Sequence, residues 1–453
     1  MASLNGWTSE QVFRMAPEAS VANDGRKMAH PGKWHSLGHD NQMAWGEFQG
    51  SGKLPYQIKA DLERLAAGEN AIQCTCPSRK QPCKHCIGLL FILVERLPDV
   101  PNVERPAFVE EWAEKQAQKV KRAEARKEAA NTPVDPEQQA KTAAERKQKI
   151  TAGMEALEQW LVNMIRHGLT DPQLGQYEFW NATAARMVDA QAPGLSTWLR
   201  ELAGLPVKGG EWIAPLLEEL GRIYLLTQAF KHFDQLPASV QADLRTAVGW
   251  NFKRDDIDAA HTVRDQWHVI GRYEEKLEDK LRMQRLWMIG EQSQQPALIL
   301  DFAFNNAPFE TVLPPGVTMD AEIGFFPSNA PMRAVLIKAH GDIQGQHSAA
   351  GMTIRAGLEA YGCALARNPW LQQYPFVIES ALIVQRGGKW LLRDAEGTMI
   401  PLAARYPHQW ALLAISGNHP LRIMGEWDGT SFYPLSVMQP DRLVDFTVIR
   451  KLA

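Results

Sequence analysis

Long apolar runs are missing from this 453-residue chain. The longest, CIGLLFILV from Cys86 to Val94, has nine residues, against the roughly 20 that a membrane-spanning helix needs. The first twenty residues, MASLNGWTSEQVFRMAPEAS, lack a basic stretch followed by an apolar one, so no secretory signal is expected. Neither sign of charge dominates. The formal net charge is -3, so the molecule as a whole carries no polyanion-binding signature, and any nucleic-acid contact must come from a local patch. Catalytic fingerprints are also missing: there is no G-x-x-x-x-G-K-[ST], no G-x-G-x-x-G after a strand, no G-x-S-x-G and no H-E-x-x-H. The chain is therefore expected to be soluble, cytoplasmic and not an enzyme, with its thiols reduced.

Cysteine is scarce too, and what there is lies in one place. Four of the five cysteines fall within Cys74–Cys86, CTCPSRKQPCKHC. A cluster of this kind in a reducing compartment points to a metal rather than to disulfides. Side chains at i and i+2 of an extended segment point the same way, so Cys74 and Cys76 can grip one ion. Pro77 and the following residues let the chain turn back and bring Cys83 and His85 to the other side. Three thiolates and an imidazole fill the tetrahedral shell of Zn²⁺ and leave no position for water, which is the structural kind of site. Cys83 heads a helix, whose N-terminal partial charge favours a thiolate, and Lys80 and Lys84 act in the same direction. The spacing Cys83-x-x-Cys86 also permits a four-cysteine site with His85 outside it.

At these residues the chain resembles the SWIM zinc-finger family, whose pattern is C-x-C, a variable gap, then C-x-H. The resemblance makes Cys74, Cys76, Cys83 and His85 the ligands of one structural zinc. The segments WGEFQGSGKLPYQIKADL and CPSRKQPCKHCIGLL look like those of a bacterial subgroup in which such a finger heads a chain of about this length. SWIM fingers are regarded as DNA-binding or protein-interaction modules. The subgroup is usually encoded near MoxR-type AAA ATPases and von Willebrand factor A proteins, which implies an adaptor in an ATPase assembly. DNA binding is the alternative, through Arg79, Lys80 and Lys84 of the basic loop, with Trp34 or Trp45 as a stacking surface. Against it, residues 1–86 hold ten Lys/Arg and eight Asp/Glu, and counterion release needs several unopposed contacts.

The rest of the chain divides by pattern into an α+β protein. Residues 1–105 form the small zinc-stapled, ββα-like unit: a hairpin over Met43–Gln49 and Pro55–Asp61 joined at Gly50-Ser51-Gly52, the extended NAIQCTC, and a helix stopped by Pro98. That helix is apolar on nearly every side (Ile87, Leu89, Leu90, Phe91, Ile92, Leu93, Val94, Leu97). It must pack on a further element besides the hairpin, and the chain's own helical domain is the expected one. Residues 106–150 read as a charged, solvated helical linker broken near NTPVDP. Residues 151–292 repeat apolar positions at three and four and read as helical, including EEKLEDKLRMQRLWMIG as a charged helix. Residues 293–453 read as β-rich, with one helix near Met352–Arg367. Asp255, Asp256, Asp258 and His261 are taken as a helix N-terminal acidic cluster rather than a metal site. His340, Asp342 and His347 are taken as part of a strand-ending loop, Cys363 as a small core residue, and the fifteen tryptophans as core packing.

Overall fold

The computed structural model describes residues 7–446 apart from 41, 51–53, 68, 79, 131–135, 207–211, 278–280, 306, 342, 346–348 and 440–442. Two helices the sequence reading did not foresee open it, α1 (Ser9–Met15) and α2 (Ala19–Met28). α1 starts at a capping box: Gln11 N–H donates to Thr8 Oγ1, and Thr8 N–H to Gln11 Oε1. β1 (Trp34–His39), β2 (Met43–Phe48), β3 (Tyr56–Asp61) and β4 (Ile72–Cys74) form an antiparallel sheet in sequence order, with α3 (Leu62–Ala66) between the last two. The expected hairpin is β2 and β3; Ser51 and Gly52 of its turn lie outside the described residues.

α4 (Lys84–Glu95) lies on this sheet, and every residue from His85 to Leu93 is buried. An apolar helix needs cover on all sides. The cover opposite the sheet is α1 and α2, not the helical domain that sequence reasoning named. α2 and α4 cross closely because Gly25 faces α4. A Cβ at Gly25 would lie 2.7 Å from Ile87 Cγ2, a distance real Cβ atoms do not tolerate.

Past Val100, α5 (Ala107–Ala130) and α6 (Pro136–His167) flank residues 131–135. The start of α5 is not solvated: Val109 and Trp112 are buried on Met43 and Trp45. The end of α6 joins a bundle with α7 (Tyr177–Asp189), α8 (Pro193–Leu202), α9 (Ile213–Lys231) and α10 (Ala238–Val248). Ile150, Met154, Leu157, Leu161 and Met164, at helical spacing, supply its share of that core. α10 stops at Gly249, whose φ of 82° is the left-handed conformation glycine adopts freely.

Strands then begin at Thr262, well before residue 293. β5 (Thr262–Lys276), β6 (Leu281–Gly290) and β7 (Pro296–Phe304) are an antiparallel meander. β8 (Val317–Phe325) pairs antiparallel with the first half of β5, and β9 (Arg333–Ala339) pairs antiparallel with β8 and parallel with β7. The ring β5–β6–β7–β9–β8 thus closes into a barrel, with the short β10 (Gln344–Gly345) appended to β8. β5 serves two neighbours by bending at a bulge between Val269 and Gly271. The segment expected as a charged helix over 274–290 is the end of β5 and all of β6. Its charges sit where a strand can use them: Glu274 and Glu275 are part-exposed, and Arg285 is buried against an acidic partner.

The last sheet runs β13 (Met399–Pro401), β12 (Lys389–Arg393), β11 (Tyr374–Arg386), β14 (Leu421–Trp427), β15 (Phe432–Met438), β16 (Leu443–Asp445). α11 (Ile354–Arg367), the helix expected near Met352–Arg367, and α12 (Gln409–Ser416) pack on it. Cys363 on α11 is exposed rather than in the core. The expectation that tryptophans pack inside holds for Trp45, Trp180, Trp267 and Trp287, whereas Trp410 is exposed.

Buried ionic contacts hold the sheet to the barrel. Arg285 Nε and Nη2 donate to the two oxygens of Glu426 at 2.8 and 2.7 Å, and Trp287 Nε1 donates to the same carboxylate at 2.7 Å. Arg272 donates to Asp445 at 3.1 Å and to the Arg14 carbonyl at 3.2 Å, so three units meet on one guanidinium. Removing one partner of such a pair strands a charge in the interior. Glu426→Ala should therefore lower the unfolding free energy by about 3–5 kcal/mol in urea titration. Asp320→Ala, which frees an Arg264 that is 57% exposed, should cost at most about 1 kcal/mol.

Candidate metal centre

β4 ends on Cys74, and the chain continues extended to Cys76, so two sulfurs point into the space between sheet and α4. Cys83 is the residue immediately before α4, in extended conformation, and His85 stands in the helix's first turn. The ligand atoms of Cys74, Cys76, Cys83 and His85 all lie within 4.8 Å of one another, and all four residues are buried. His85 Nδ1 is 3.7 Å from both Cys74 Sγ and Cys83 Sγ. A tetrahedral Zn²⁺ with bonds of about 2.3 Å to sulfur has ligand-to-ligand edges of about 3.8 Å. The four side chains fit one structural zinc ion.

The electrostatics agree with the geometry. Cys83 is held well below the ordinary thiol range by hydrogen bonding from Cys74 and Cys86, while Cys74 is pushed above it, first by its hydrogen bond to Cys83. Sulfurs this close share one negative charge unless a cation lies among them, and Zn²⁺ is the cation that three thiolates and an imidazole select. The backbone N–H of Cys76 donates to Cys74 Sγ at 3.4 Å, a bond that favours the thiolate form and acts against that upward push.

Cys86, the alternative ligand, stays outside the four-atom cluster. Its sulfur lies 3.7 Å from Cys83 Sγ and is fully buried. Hydrogen bonding to Cys74 and Cys83, with burial, pushes its thiol well above the ordinary range and keeps it neutral. It is thus placed to hydrogen-bond the bound thiolates. Two positioning residues escaped the sequence reading: Phe48 and Tyr56, whose rings lie 5.3 and 5.1 Å from the His85 ring and fix its plane. Their places at the ends of the paired strands β2 and β3 were the available signal.

The basic loop is distributed differently from the expectation of a free patch. Lys80 forms an ion pair with Glu18, the residue before α2, and Lys84 is exposed on the first turn of α4. Arg79 lies outside the described residues. Trp34 and Trp45, the expected stacking surface, are both buried.

Residues 56–93 match the SWIM zinc finger. Residues 145–248 match the SWIM-associated four-helix bundle domain, which begins within α6 and stops at the last residue of α10. No curated protein matches the chain.

Among the described residues no second cluster accompanies the SWIM finger's. Asp256 and Asp258 accept backbone N–H groups of Lys253 and Ala260, so they cap short turns rather than a long helix, and His261 closes the second turn. The side chain of Asp255 lies outside the described residues. His340 hydrogen-bonds Glu322 at 2.6 Å, and Asp342 and His347 lie outside the described residues.

Purified protein is expected to carry one zinc per chain by mass spectrometry of the metal. Cys76→Ser and His85→Ala should fall well short of one. Cys86→Ala should keep the full equivalent but lose it to a chelator at about tenfold lower concentration.

Proposed function

We propose that this chain is a non-catalytic, cytoplasmic zinc-finger adaptor that recruits a protein partner through its helical bundle. The observation that carries this reading is α9. Leu216, Leu220, Ile223, Leu226 and Phe230 bury one face of it in the bundle. The opposite face is apolar as well: Ile213, Leu217, Tyr224 and Leu225 are exposed, Leu217 to 51%. Gly221 lies between them, and a Cβ there would meet nothing within 4 Å. A helix apolar on two faces with only one covered is a surface that another protein covers.

A zinc shell with four protein ligands supports a non-catalytic role, because it has no position for substrate or water. Among the described residues no helix is long and apolar enough to cross a membrane. The finer assignment, an assembly with a MoxR-type ATPase and von Willebrand factor A proteins, follows from the subgroup resemblance around the finger. DNA binding by the finger is less well supported, since Glu18 already neutralises Lys80.

Affinity capture from cells of the source organism should retain a protein with the native chain and lose it with Leu217→Asp, at unchanged circular dichroism. The pair should then reconstitute from purified components. Retention of the same proteins by both chains, or of none, discards the reading.

A further inference from the structure

The barrel has a strand path of its own: a meander of three strands, a long first strand bent to pair twice, and a fifth strand parallel to the third. That is the path of an OB-fold barrel, whose second and third strands form a ligand face. Here the outward side of β6 is covered by the last sheet, through Trp287, Met283 and Ile289. The outward row of β7 opens toward its end: Leu298 is half-buried against the same core, Leu300 is half-buried, and Phe302 is exposed. Leu298, Leu300 and Phe302 line a cleft of about 480 Å³ between the barrel and the helical bundle, and Phe302 is 48% exposed. Phe304, next in the row, is 59% exposed.

Fold alone assigns no ligand; the side chains that line the cleft, and those packed behind them, do. Arg333 at its wall lies over the Phe326 ring at 5.3 Å and donates to the neutral Asn251 amide at 3.2 Å. Arg245 lies 4.0 Å over Phe252, which also lines the cleft, and 4.7 Å over Trp250, and Arg146 covers the same Trp250 at 5.3 Å. Among the described residues none of these three arginines forms a salt bridge; Asp256 acts on Arg245 only through space. The Nε atoms of Arg146 and Arg245 are buried and donate to nothing. Desolvation lowers the pKa of all three, so an anion arriving there would be favoured.

Two acidic residues line the cleft, and one of them is fully hydrogen-bonded. Asp243 accepts from Ser328 Oγ at 2.6 Å, Asn329 N–H at 3.1 Å and Asn368 at 3.0 Å. Glu201, an exposed residue, also lines the cleft; desolvation raises its pKa, and Arg405 and Arg285 act on it through space. Those three bonds to Asp243 also tie bundle, barrel and last sheet together around the opening, so its shape is set before any ligand arrives.

We propose that this cleft binds single-stranded nucleic acid, with bases against the Leu298–Leu300–Phe302 row, phosphates met by Arg333 at the wall, and the field of Arg245 and Arg146 acting from behind Phe252 and Trp250. Aromatic platforms beside unopposed cations are what sequence-tolerant single-strand sites are built from. A protein segment would leave three guanidinium groups without counter-charge unless it were acidic. This inference is independent of the adaptor reading, which uses the exposed face of α9, none of whose residues lines the cleft.

The test is fluorescence anisotropy of the full, zinc-loaded chain with labelled oligo(dT) and oligo(rU) of about twenty nucleotides and a duplex of equal length, in about 50 mM salt. At least one single strand should bind more tightly than the duplex, and the two arms tell DNA from RNA. Phe302→Ala, on an exposed side chain, should weaken binding about five- to hundredfold. Arg333→Ala should reduce the slope of log K against log salt by about 0.7, and Arg333→Lys should restore it. Lys84→Ala on the finger should change nothing. No binding of either single strand, equal binding of duplex, indifference to Phe302→Ala, or loss with Lys84→Ala overturns the proposal.

Discussion

A tetrahedral grip on one cation fixes the junction between β4 and α4, and the front half of the molecule is arranged around that junction. Structural zinc contributes on the order of 10 kcal/mol or more to a small finger. The ion sets the angle at which α4 leaves the sheet, and α4 in turn presents an almost wholly apolar cylinder. Once that cylinder is held, α1 and α2 must close over it, and Gly25 lets them do so at short range. The finger's aromatic residues follow the same logic: Phe48 and Tyr56 exist at their positions to hold the His85 ring.

From this centre one apolar core runs on without a break. The buried set that contains Cys74, Cys83 and Phe91 also contains Trp267, Leu286, Met319 and Ile323 of the barrel. Arg14 donates to the Pro315 carbonyl at 2.6 Å across that seam. The bundle has a separate core, as does most of the last sheet. Hydrophobic continuity thus groups the finger with the barrel, although more than 160 residues of sequence separate α4 from β5, while buried charge pairs such as Arg285–Glu426 fasten the last sheet to them.

Local chemistry was the readable part of this sequence. Zinc ligands recur at spacings dictated by strand and helix geometry, so Cys74, Cys76, Cys83 and His85 declare themselves within a dozen residues. The β2–β3 hairpin, the helix after the cysteines, α11 and the mixed α+β character were legible for the same reason. Tertiary relations were not. Residues 274–290 carry leucines and charges at three- and four-residue intervals, which mimics a helix. The strand appears because β5 and β7 offer partners on both sides. The cover on α4 came from α1 and α2, whose short helices carry modest signals. The free face of α9 was invisible because an apolar residue gives no sign of which side its neighbours leave bare. Cys363 was placed inside on residue type alone, and the fold leaves its side of α11 in solvent.

The unbroken core between finger and barrel has a bearing on modularity. Zinc fingers are often pictured as beads that evolution strings onto unrelated proteins, but this bead has been ground flat on one side to fit its neighbour. Excised, it would bring raw hydrocarbon into water along the whole seam. The metal therefore acts at a distance, as a keystone whose removal would be felt by the arch it does not touch.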